Sequence, residues 1–204
     1  MEPKSHWENV YASKASDAVS WYQPHATLSL ELIKRVVHGK DARILDVGAG
    51  ASMLVDDLLD EGMTALSVLD ISQTALDVVR ERLGPRASGV EWIQCDITQV
   101  ALEPASVEVW HDRAVFHFLT SASDREAYVA QVRRTVRPGG HVIVAAFAPD
   151  GPLHCSGLPV MRYAPDDLHA QFGARFELLE QLSEDHHTPM GTTQHFVYCH
   201  CIVH

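Results

Sequence analysis

Three acidic residues stand where apolar, strand-like segments of the sequence end. Asp46 lies two residues before Gly48 and four before Gly50, Asp70 ends the segment SVLD, and Asp96 follows the segment WIQC. Glycine permits positive φ and a close approach of a ligand to the backbone. A carboxylate beside these glycines repels pyrophosphate but can bind a cationic group, and carboxylates at the next strand ends can accept hydrogen bonds from ribose hydroxyls and an exocyclic amine. Together the acids predict a site for a ligand that carries a cation, a ribose and an adenine.

The glycine-containing turn argues against two common nucleotide sites. A dinucleotide-binding turn needs a third glycine, and Met53 stands at that position, where it fits poorly beside a pyrophosphate. A phosphate-binding loop needs Gly-Lys-Ser/Thr, which the sequence lacks after these glycines. Each acid alone has a structural alternative, because Asp70 can cap the helix that follows Ser72 and Asp96 can start a turn. The combination with Asp46 and its glycines favours the ligand site.

Short apolar segments alternate with amphipathic ones along most of the chain, which is typical of a parallel sheet covered by helices on both faces. The last two strands are expected to pair antiparallel, the segment 150–162 is expected to be a loop, and no linker divides the chain, so one domain is predicted. The predicted strands are Arg43–Val47, Ala65–Leu69, Val90–Gln94, Val107–Trp110, His141–Phe147, Phe176–Leu182 and Gln194–Val203, and the predicted helices are Thr27–Val37, Ser52–Glu61, Gln73–Leu83, Asp124–Val136 (ended by Arg137–Gly140) and Pro165–Phe172.

The overall composition disfavours several classes of function. Sixteen basic residues against twenty-seven acidic ones give a formal charge of −11, which disfavours a nucleic-acid partner because phosphates are bound by Lys and Arg. The longest apolar segments have strand length, so no membrane partner is expected. The N-terminus lacks the basic start and apolar stretch of a signal peptide, which predicts a cytoplasmic protein. Thirteen histidines and four cysteines show no metal-ligand spacing, so no metal site is expected.

Five segments, LDVGAGAS, VLDIS, CDIT, VWHDRAVFHFL and VRPGGHVIVAAF, resemble in sequence and order the motifs of the class I S-adenosylmethionine-dependent methyltransferases. The resemblance runs from Ala42 to Phe147. It implies a Rossmann-like, doubly wound α/β fold with a seven-stranded sheet, mostly parallel with an antiparallel last strand, and S-adenosyl-L-methionine as the cofactor. The family often has a third glycine where this chain has Ser52, which is also small and can cap the following helix.

The methyl acceptor is expected beyond the fourth strand, where the candidate catalytic residues are His111, Asp112, Arg113 and His117. The Asp112-Arg113 pair resembles a segment of the thiopurine and thiol methyltransferases and an acid-Lys segment of some small protein-lysine methyltransferases. Arg113 can also pair with Asp112 for purely structural reasons. The residues expected to contact the cofactor are Trp7, Trp21, Asp46, Gly48, Gly50, Asp70, Ile71, Asp96, Ile97 and His111.

The N-terminal segment is rich in aromatic residues, namely Trp7, Tyr11, Trp21 and Tyr22. Exposed aromatic rings are costly, and their faces attract cations, so residues 1–40 are expected to form a helical lid or arm over the site. A packed arm without ligand contact is the alternative. Residues 41–148 are then the cofactor-binding core, and residues 149–204 supply acceptor-side loops and the last two strands.

The sequence therefore predicts a methyltransferase for a small-molecule acceptor, such as a thiol or another soft nucleophile. A protein-lysine N-methyltransferase is the first alternative, because a small acidic protein suits a basic polypeptide. A non-catalytic nucleotide-binding module is the second. A nucleic-acid methyltransferase is disfavoured because no Asn-Pro-Pro-Tyr-type motif follows the fourth strand. The acceptor, the oligomeric state and the proton-transferring histidine, if there is one, stay open at this point.

Overall fold

Seven strands form one sheet at the centre of the computed structural model, which describes residues 2–204. Their spatial order is β3–β2–β1–β4–β5–β9–β8; all are parallel except β9, which pairs antiparallel with both of its neighbours. The predicted fold class is confirmed. The sheet strands are β1 (Ile44–Val47), β2 (Leu66–Asp70), β3 (Val90–Gln94), β4 (Val107–Arg113), β5 (Val136–Phe147), β8 (Phe176–His187) and β9 (Thr193–Val203), and β6 (His154–Cys155) and β7 (Leu158–Pro159) form a separate small hairpin.

Helices cover both faces of the sheet, because each presents an apolar stripe to it. One buried cluster includes residues of α2, α3 and α4, and the other includes residues of α5 and α6. No helix within residues 2–204 is both long and apolar enough to cross a membrane. The helices are α1 (Pro3–Ser13), α2 (Thr27–Val36), α3 (Leu54–Asp60), α4 (Gln73–Leu83), α5 (Ala122–Thr135) and α6 (Pro165–Ala170).

Strands β4 and β8 are longer than predicted: β4 continues past Trp110 to Arg113, and β8 continues past Leu182 to His187. Two irregularities also occur in the sheet. β5 begins at Val136, not at His141, because the register shifts between Val107 and Val109 of β4 and lets the segment 137–140 bulge within the strand. In β8 the register shifts between Leu178 and Glu180. The expected loop at 150–162 contains the hairpin β6–β7.

A buried polar cluster joins β4 to α5. Asp112 accepts hydrogen bonds from the backbone N–H of Val115 (2.9 Å) and Phe116 (3.1 Å) and from the Tyr128 hydroxyl (2.6 Å). The Tyr128 oxygen in turn accepts a hydrogen bond from Trp110 Nε1 at 2.9 Å. Buried polar groups of this kind stabilise a fold only when all are paired, so the cluster fixes the register of α5 on the sheet.

Tyr128→Phe is expected to lower the free energy of unfolding by about 2 kcal/mol, because it removes one partner from each of two buried polar groups, Asp112 and Trp110. Tyr163→Phe is the matched control: the Tyr163 hydroxyl is also buried but has no hydrogen-bond partner within residues 2–204. Urea unfolding measures both. Equal losses for the two variants would contradict a structural role for the Tyr128 hydroxyl.

Candidate active site

Two cavities meet at the carboxyl ends of the parallel strands. The larger has a volume of about 540 Å³ and lies among the ends of β1, β2 and β4, the segment after β3, α1 and the hairpin β6–β7. The smaller, of about 50 Å³, lies between the segment 16–26, which precedes α2, and the turn after β1. They share the wall residues Trp21, Val47, Gly48 and Arg113. Ligands of open α/β sheets bind at this edge, so the cavities are the candidate active site.

The glycines of the turn after β1 leave space for two side chains of the protein itself. Gly48 and Gly50 have φ values of 59° and 55°. A Cβ on Gly48 would lie 1.9 Å from Val115 Cγ2, and one on Gly50 would lie 2.1 Å from the Tyr11 hydroxyl. Gly48 lines both cavities, whereas Gly50 lines neither and donates its N–H to Asp70 Oδ2 at 2.8 Å.

Asp70 and Asp96 line the larger cavity, together with Ile71 and Ile97. Asp70 is buried and accepts hydrogen bonds from the backbone N–H of Gly50 and Ser72, both at 2.8 Å. Burial raises its pKa to about 6 despite these bonds. Asp70 does not cap α4 itself, because Ser72 is the cap and Asp70 holds the backbone of Ser72. Like Asp96, it faces the cavity.

Asp96 forms a turn with Thr98 and keeps one carboxylate oxygen outside it. Its Oδ1 accepts hydrogen bonds from the Thr98 backbone N–H (2.8 Å) and hydroxyl (2.7 Å). The turn fixes the direction of the Asp96 side chain at the cavity wall.

Asp46 and His111 lie side by side on β1 and β4 and line the smaller cavity. His111 Nδ1 is 2.7 Å from Asp46 Oδ1, and His111 Nε2 is 2.8 Å from the hydroxyl of Ser29 on α2. Asp46 Oδ2 is buried and has no hydrogen-bond partner within residues 2–204. An unpaired carboxylate oxygen on a residue that lines a cavity suits a cationic ligand group.

Arg113, at the end of β4, is the basic residue that borders both cavities. Its Nη2 and Nε donate to Glu184 Oε2 at 3.0 and 3.1 Å, Nε also lies 3.2 Å from the Tyr198 hydroxyl, and the guanidinium carbon is 4.3 Å from the centre of the Phe196 ring. Burial lowers the pKa of Arg113, but Tyr198 and Glu184 raise it above its ordinary value. A fixed positive charge therefore faces the aromatic side of the larger cavity.

The N-terminal arm closes the larger cavity through α1. Trp7 and Tyr11 of α1 line it with Trp21, and the Trp7 ring lies 5.7 Å from Trp21 and 5.1 Å from Phe118, edge to face. Glu8 on the same helix accepts hydrogen bonds from the hydroxyl of Ser72 and the backbone N–H of Gln73 and Thr74 at 2.8–3.0 Å. Glu8 thus caps the N-terminus of α4 from a different part of the chain.

Two of the predicted catalytic residues do not face either cavity, and those predictions are corrected. Asp112 points to the opposite face of the sheet from His111 and Arg113, because neighbouring residues on a strand alternate. It is fully buried, and both of its carboxylate oxygens accept hydrogen bonds in the cluster with Tyr128. His117 is fully buried against the rings of Phe118 and Phe147, and burial and Arg113 lower its pKa to about 3.

The remaining predicted residues, apart from Gly50, line one or both of the adjoining cavities; their roles as ligands stay predictions. The sequence indicated neither the aromatic wall residues Phe118, Phe147 and Phe196 nor the polar partners Ser29, Glu184 and Tyr198. The last three come from α2, β8 and β9, and they meet only through the packing of α2 on the sheet and the register of β8 on β9. Tyr11, one of the aromatic residues of the predicted arm, and Cys155 also line the larger cavity.

Comparison with known proteins identifies the family. A family model described as a methyltransferase domain matches residues 45–144, which contain most of β1, Asp70 and Asp96, and most of β5. The chain belongs to the class I S-adenosylmethionine-dependent methyltransferases. S-adenosyl-L-methionine is therefore its cofactor, and the unpaired Asp46 oxygen, the glycine turn and the cavity-facing Asp70 and Asp96 fit that ligand.

Similar proteins of known sequence or structure differ in their acceptors. An eEF1A lysine and N-terminal methyltransferase from Danio rerio is 27% identical over 146 residues, 70% of this chain but 21% of the relative. The methyltransferase thus spans about a fifth of the length of such curated relatives.

Two solved structures show the same fold. One, described for the conversion of a disulfide bond into a thioacetal group during echinomycin biosynthesis, has a TM-score of 0.77 at 17% identity and covers 98% of this chain and 91% of its own. The second is a 1,6-didemethyltoxoflavin-N1-methyltransferase from Burkholderia thailandensis, with that compound and S-adenosylhomocysteine bound. It has a TM-score of 0.68 at 17% identity, and the coverage is 96% of this chain and 81% of its own.

Glu8→Gln is expected to loosen the arm, because an ionised cap binds helix N–H groups more strongly than a neutral amide. Burial raises the pKa of Glu8, but hydrogen bonds from Thr74, Gln73 and Ser72 outweigh this effect and lower the pKa to about 2. The stabilisation by the ionised cap is therefore fully present above pH 4.5 and is lost as the pH falls toward 2. Hydrogen exchange at pH 7 should become about fivefold faster in α1, equivalent to about 1 kcal/mol. Glu31→Gln, at an exposed acid on α2, is the control and should change nothing.

Proposed function

We propose that this methyltransferase acts on a small, largely apolar acceptor with a soft nucleophile, a thiol in the first instance. The observation that carries the proposal is the position of Arg113 beside Phe196 at the wall of the larger cavity. Its partner Glu184 is not among the residues that line the cavity, so an acceptor there meets the positive side of the ion pair. A cation lowers the pKa of a nearby thiol and favours the reactive thiolate, whereas it repels an ammonium group.

The walls around Arg113 support an apolar acceptor. Aromatic and aliphatic side chains predominate there: Trp7, Trp21, Phe118, Leu119, Phe147, Leu158, Pro159 and Phe196. The carboxylates that also line the cavity belong to the ends of β2 and β3 and, in the case of Asp124, to the first turn of α5. Apolar walls with few polar groups are typical of small-molecule sites.

The cofactor is proposed to be held by the acids at the strand ends. Asp46 Oδ2 binds the amino group, Asp70 the ribose hydroxyls and Asp96 the adenine amine. Ile71 and Ile97 pack against the nucleoside, and Trp7 and Trp21 face the sulfonium, where aromatic rings attract positive charge.

When bound, S-adenosyl-L-methionine supplies a methyl group already activated on a sulfonium. The residues of this chain therefore need to align the acceptor and exclude water, which the arm and the aromatic walls do. Arg113 stabilises the thiolate form of the acceptor, and its own proton stays in place because Glu184 and Tyr198 hold it.

A protein amine is the second candidate acceptor. The eEF1A lysine and N-terminal methyltransferases are relatives in sequence, and the net charge of −11 suits a basic polypeptide. Against it stands Arg113, because a lysine side chain entering beside this residue must approach a like charge.

Asp70→Asn is expected to weaken S-adenosylhomocysteine binding at pH 7.5 at least tenfold, because an amide accepts fewer hydrogen bonds than a carboxylate. The affinity of the unaltered protein should also fall as the pH drops through about 6, where Asp70 gains a proton. Isothermal calorimetry measures both effects. Asp77→Asn, at an exposed acid on α4, is the control. Unchanged affinity in Asp70→Asn would leave Asp70 with its structural role alone.

The acceptor class is tested with methyl-labelled cofactor against panels of small thiols, amines and phenols, and against a cell lysate. Label in thiols is expected, and label confined to protein bands would overturn the proposal in favour of a protein amine. The double variant Arg113→Gln/Glu184→Gln removes both charges of the ion pair at once, so no buried charge is left unpaired. It should move the pH dependence of kcat/KM for a thiol up by about one unit. Cofactor affinity should stay within about twofold.

A further inference from the structure

A continuous chain of hydrogen bonds connects Asp46 in the smaller cavity to Arg113 at the acceptor wall. It runs from Asp46 Oδ1 to His111 Nδ1 (2.7 Å), from His111 Nε2 to Ser29 Oγ (2.8 Å), and from Ser29 Oγ to the Tyr198 hydroxyl (3.3 Å). Tyr198 then donates to Glu184 Oε2 (3.2 Å), which binds Arg113. The polar side chains of five separate elements, α2, β1, β4, β8 and β9, therefore form one network.

The number of hydrogen atoms in this network depends on the protonation state of His111. The four links between Asp46 and Glu184 need four hydrogens, because both ends are carboxylates that only accept. Ser29 and Tyr198 supply one each. A neutral imidazole supplies one more and leaves one link without a hydrogen, whereas an imidazolium supplies two and completes all four.

The surrounding charges support an ionised Glu184 and a protonated Tyr198. Burial raises the pKa of Tyr198 to about 12, so its hydroxyl remains a donor. Burial raises the pKa of Glu184, but Arg113 and Gln23 lower it below its ordinary value. The titratable groups that line the smaller cavity with His111 are Asp46, Arg113 and Tyr22, and Asp46 is the acidic group that contacts the ring.

We infer that His111 is an imidazolium in the ligand-free protein, and that a cationic group bound at Asp46 Oδ2 displaces one proton from His111 Nε2 to solvent through the smaller cavity. The inference rests on the proposed placement of the cofactor amino group at Asp46. Before the ligand binds, the imidazolium balances the charge of Asp46. An ammonium group bound at Asp46 Oδ2 balances it instead, so the imidazolium is no longer needed.

The loss of this proton changes the acceptor side of the site. Once His111 Nε2 has no hydrogen, the Ser29 hydroxyl must donate to it and can no longer donate to Tyr198. Tyr198 touches both Arg113 and Glu184, so cofactor binding alters the network that positions the acceptor-side cation. His111 is then a positioning residue, and both of its nitrogens are occupied within the network rather than aimed at an acceptor.

The test is calorimetric titration of the full chain with S-adenosylhomocysteine at pH 7.5, in phosphate, Hepes and Tris. The dependence of the binding enthalpy on the ionisation enthalpy of the buffer gives the number of protons released. About half to one proton is expected for the unaltered protein. At this pH Asp70 is already ionised and contributes little.

His111→Asn, whose amide can still donate to Asp46, should bind the ligand with release reduced to near zero. Ser29→Ala should reduce the release as well. His195→Asn is the matched control, because His195 is an exposed histidine paired with Asp150 and should leave the release unchanged. Binding with no proton release in the unaltered protein, or equal release in His111→Asn, would overturn the inference.

Nitrogen-15 NMR of the imidazole groups provides a readout that needs neither a variant nor an acceptor. The His111 signals of the ligand-free protein should show two protonated nitrogens at pH 7.5, and those of the complex one. A neutral His111 in the free protein would overturn the inference even if the ligand binds as proposed. Failure to bind the ligand, with an imidazolium in the free protein, would instead refute the proposed cofactor site.

Discussion

The carboxylate of Asp70 holds together the parts on which the site depends. By binding the backbone N–H of Gly50 and of Ser72, it ties the turn after β1 to the start of α4. Glu8 binds the same end of α4, so the arm is aligned with the same reference point. The turn after β1, α4 and the arm are thus all fixed at the start of α4, and their positions there define the walls of the two cavities. The Asp70 carboxylate, which accepts hydrogen bonds from backbone N–H groups, is therefore both a structural group and part of the cavity wall.

The parts of the fold set by local pattern were predictable, and the parts set by register were not. Apolar segments bounded by turn residues located every strand of the sheet. The bulge at 137–140 and the irregularity beside Leu178 depend on which strand lies alongside, information that a single segment does not contain. The second irregularity turns Glu180 and the residues after it to the other face, which is how Glu184 reaches Arg113.

The candidate site shows the same division. The acids at the strand ends were found because parallel strands bring their carboxyl ends to one edge. Asp112 was included because the fourth strand was predicted to end at Trp110. The strand continues to Arg113, and alternation along it places Asp112 opposite His111 and Arg113. Ser29, Glu184 and Tyr198 carry no local pattern of a site. They become recognisable only when α2, β8 and β9 are packed side by side, because each is ordinary until its neighbours exclude water from it.

The hairpin β6–β7 contributes Cys155, Leu158 and Pro159 to the wall of the larger cavity, yet its strands pair only with each other. Substitutions in this hairpin leave the ladder of the main sheet intact. In the proposed function this wall faces the acceptor, so its residues can change, and with them the choice of substrate, while the edge that holds the cofactor is preserved. Such a division offers a physical reason why related methyltransferases carry names as different as eEF1A lysine and N-terminal methyltransferase and 1,6-didemethyltoxoflavin-N1-methyltransferase.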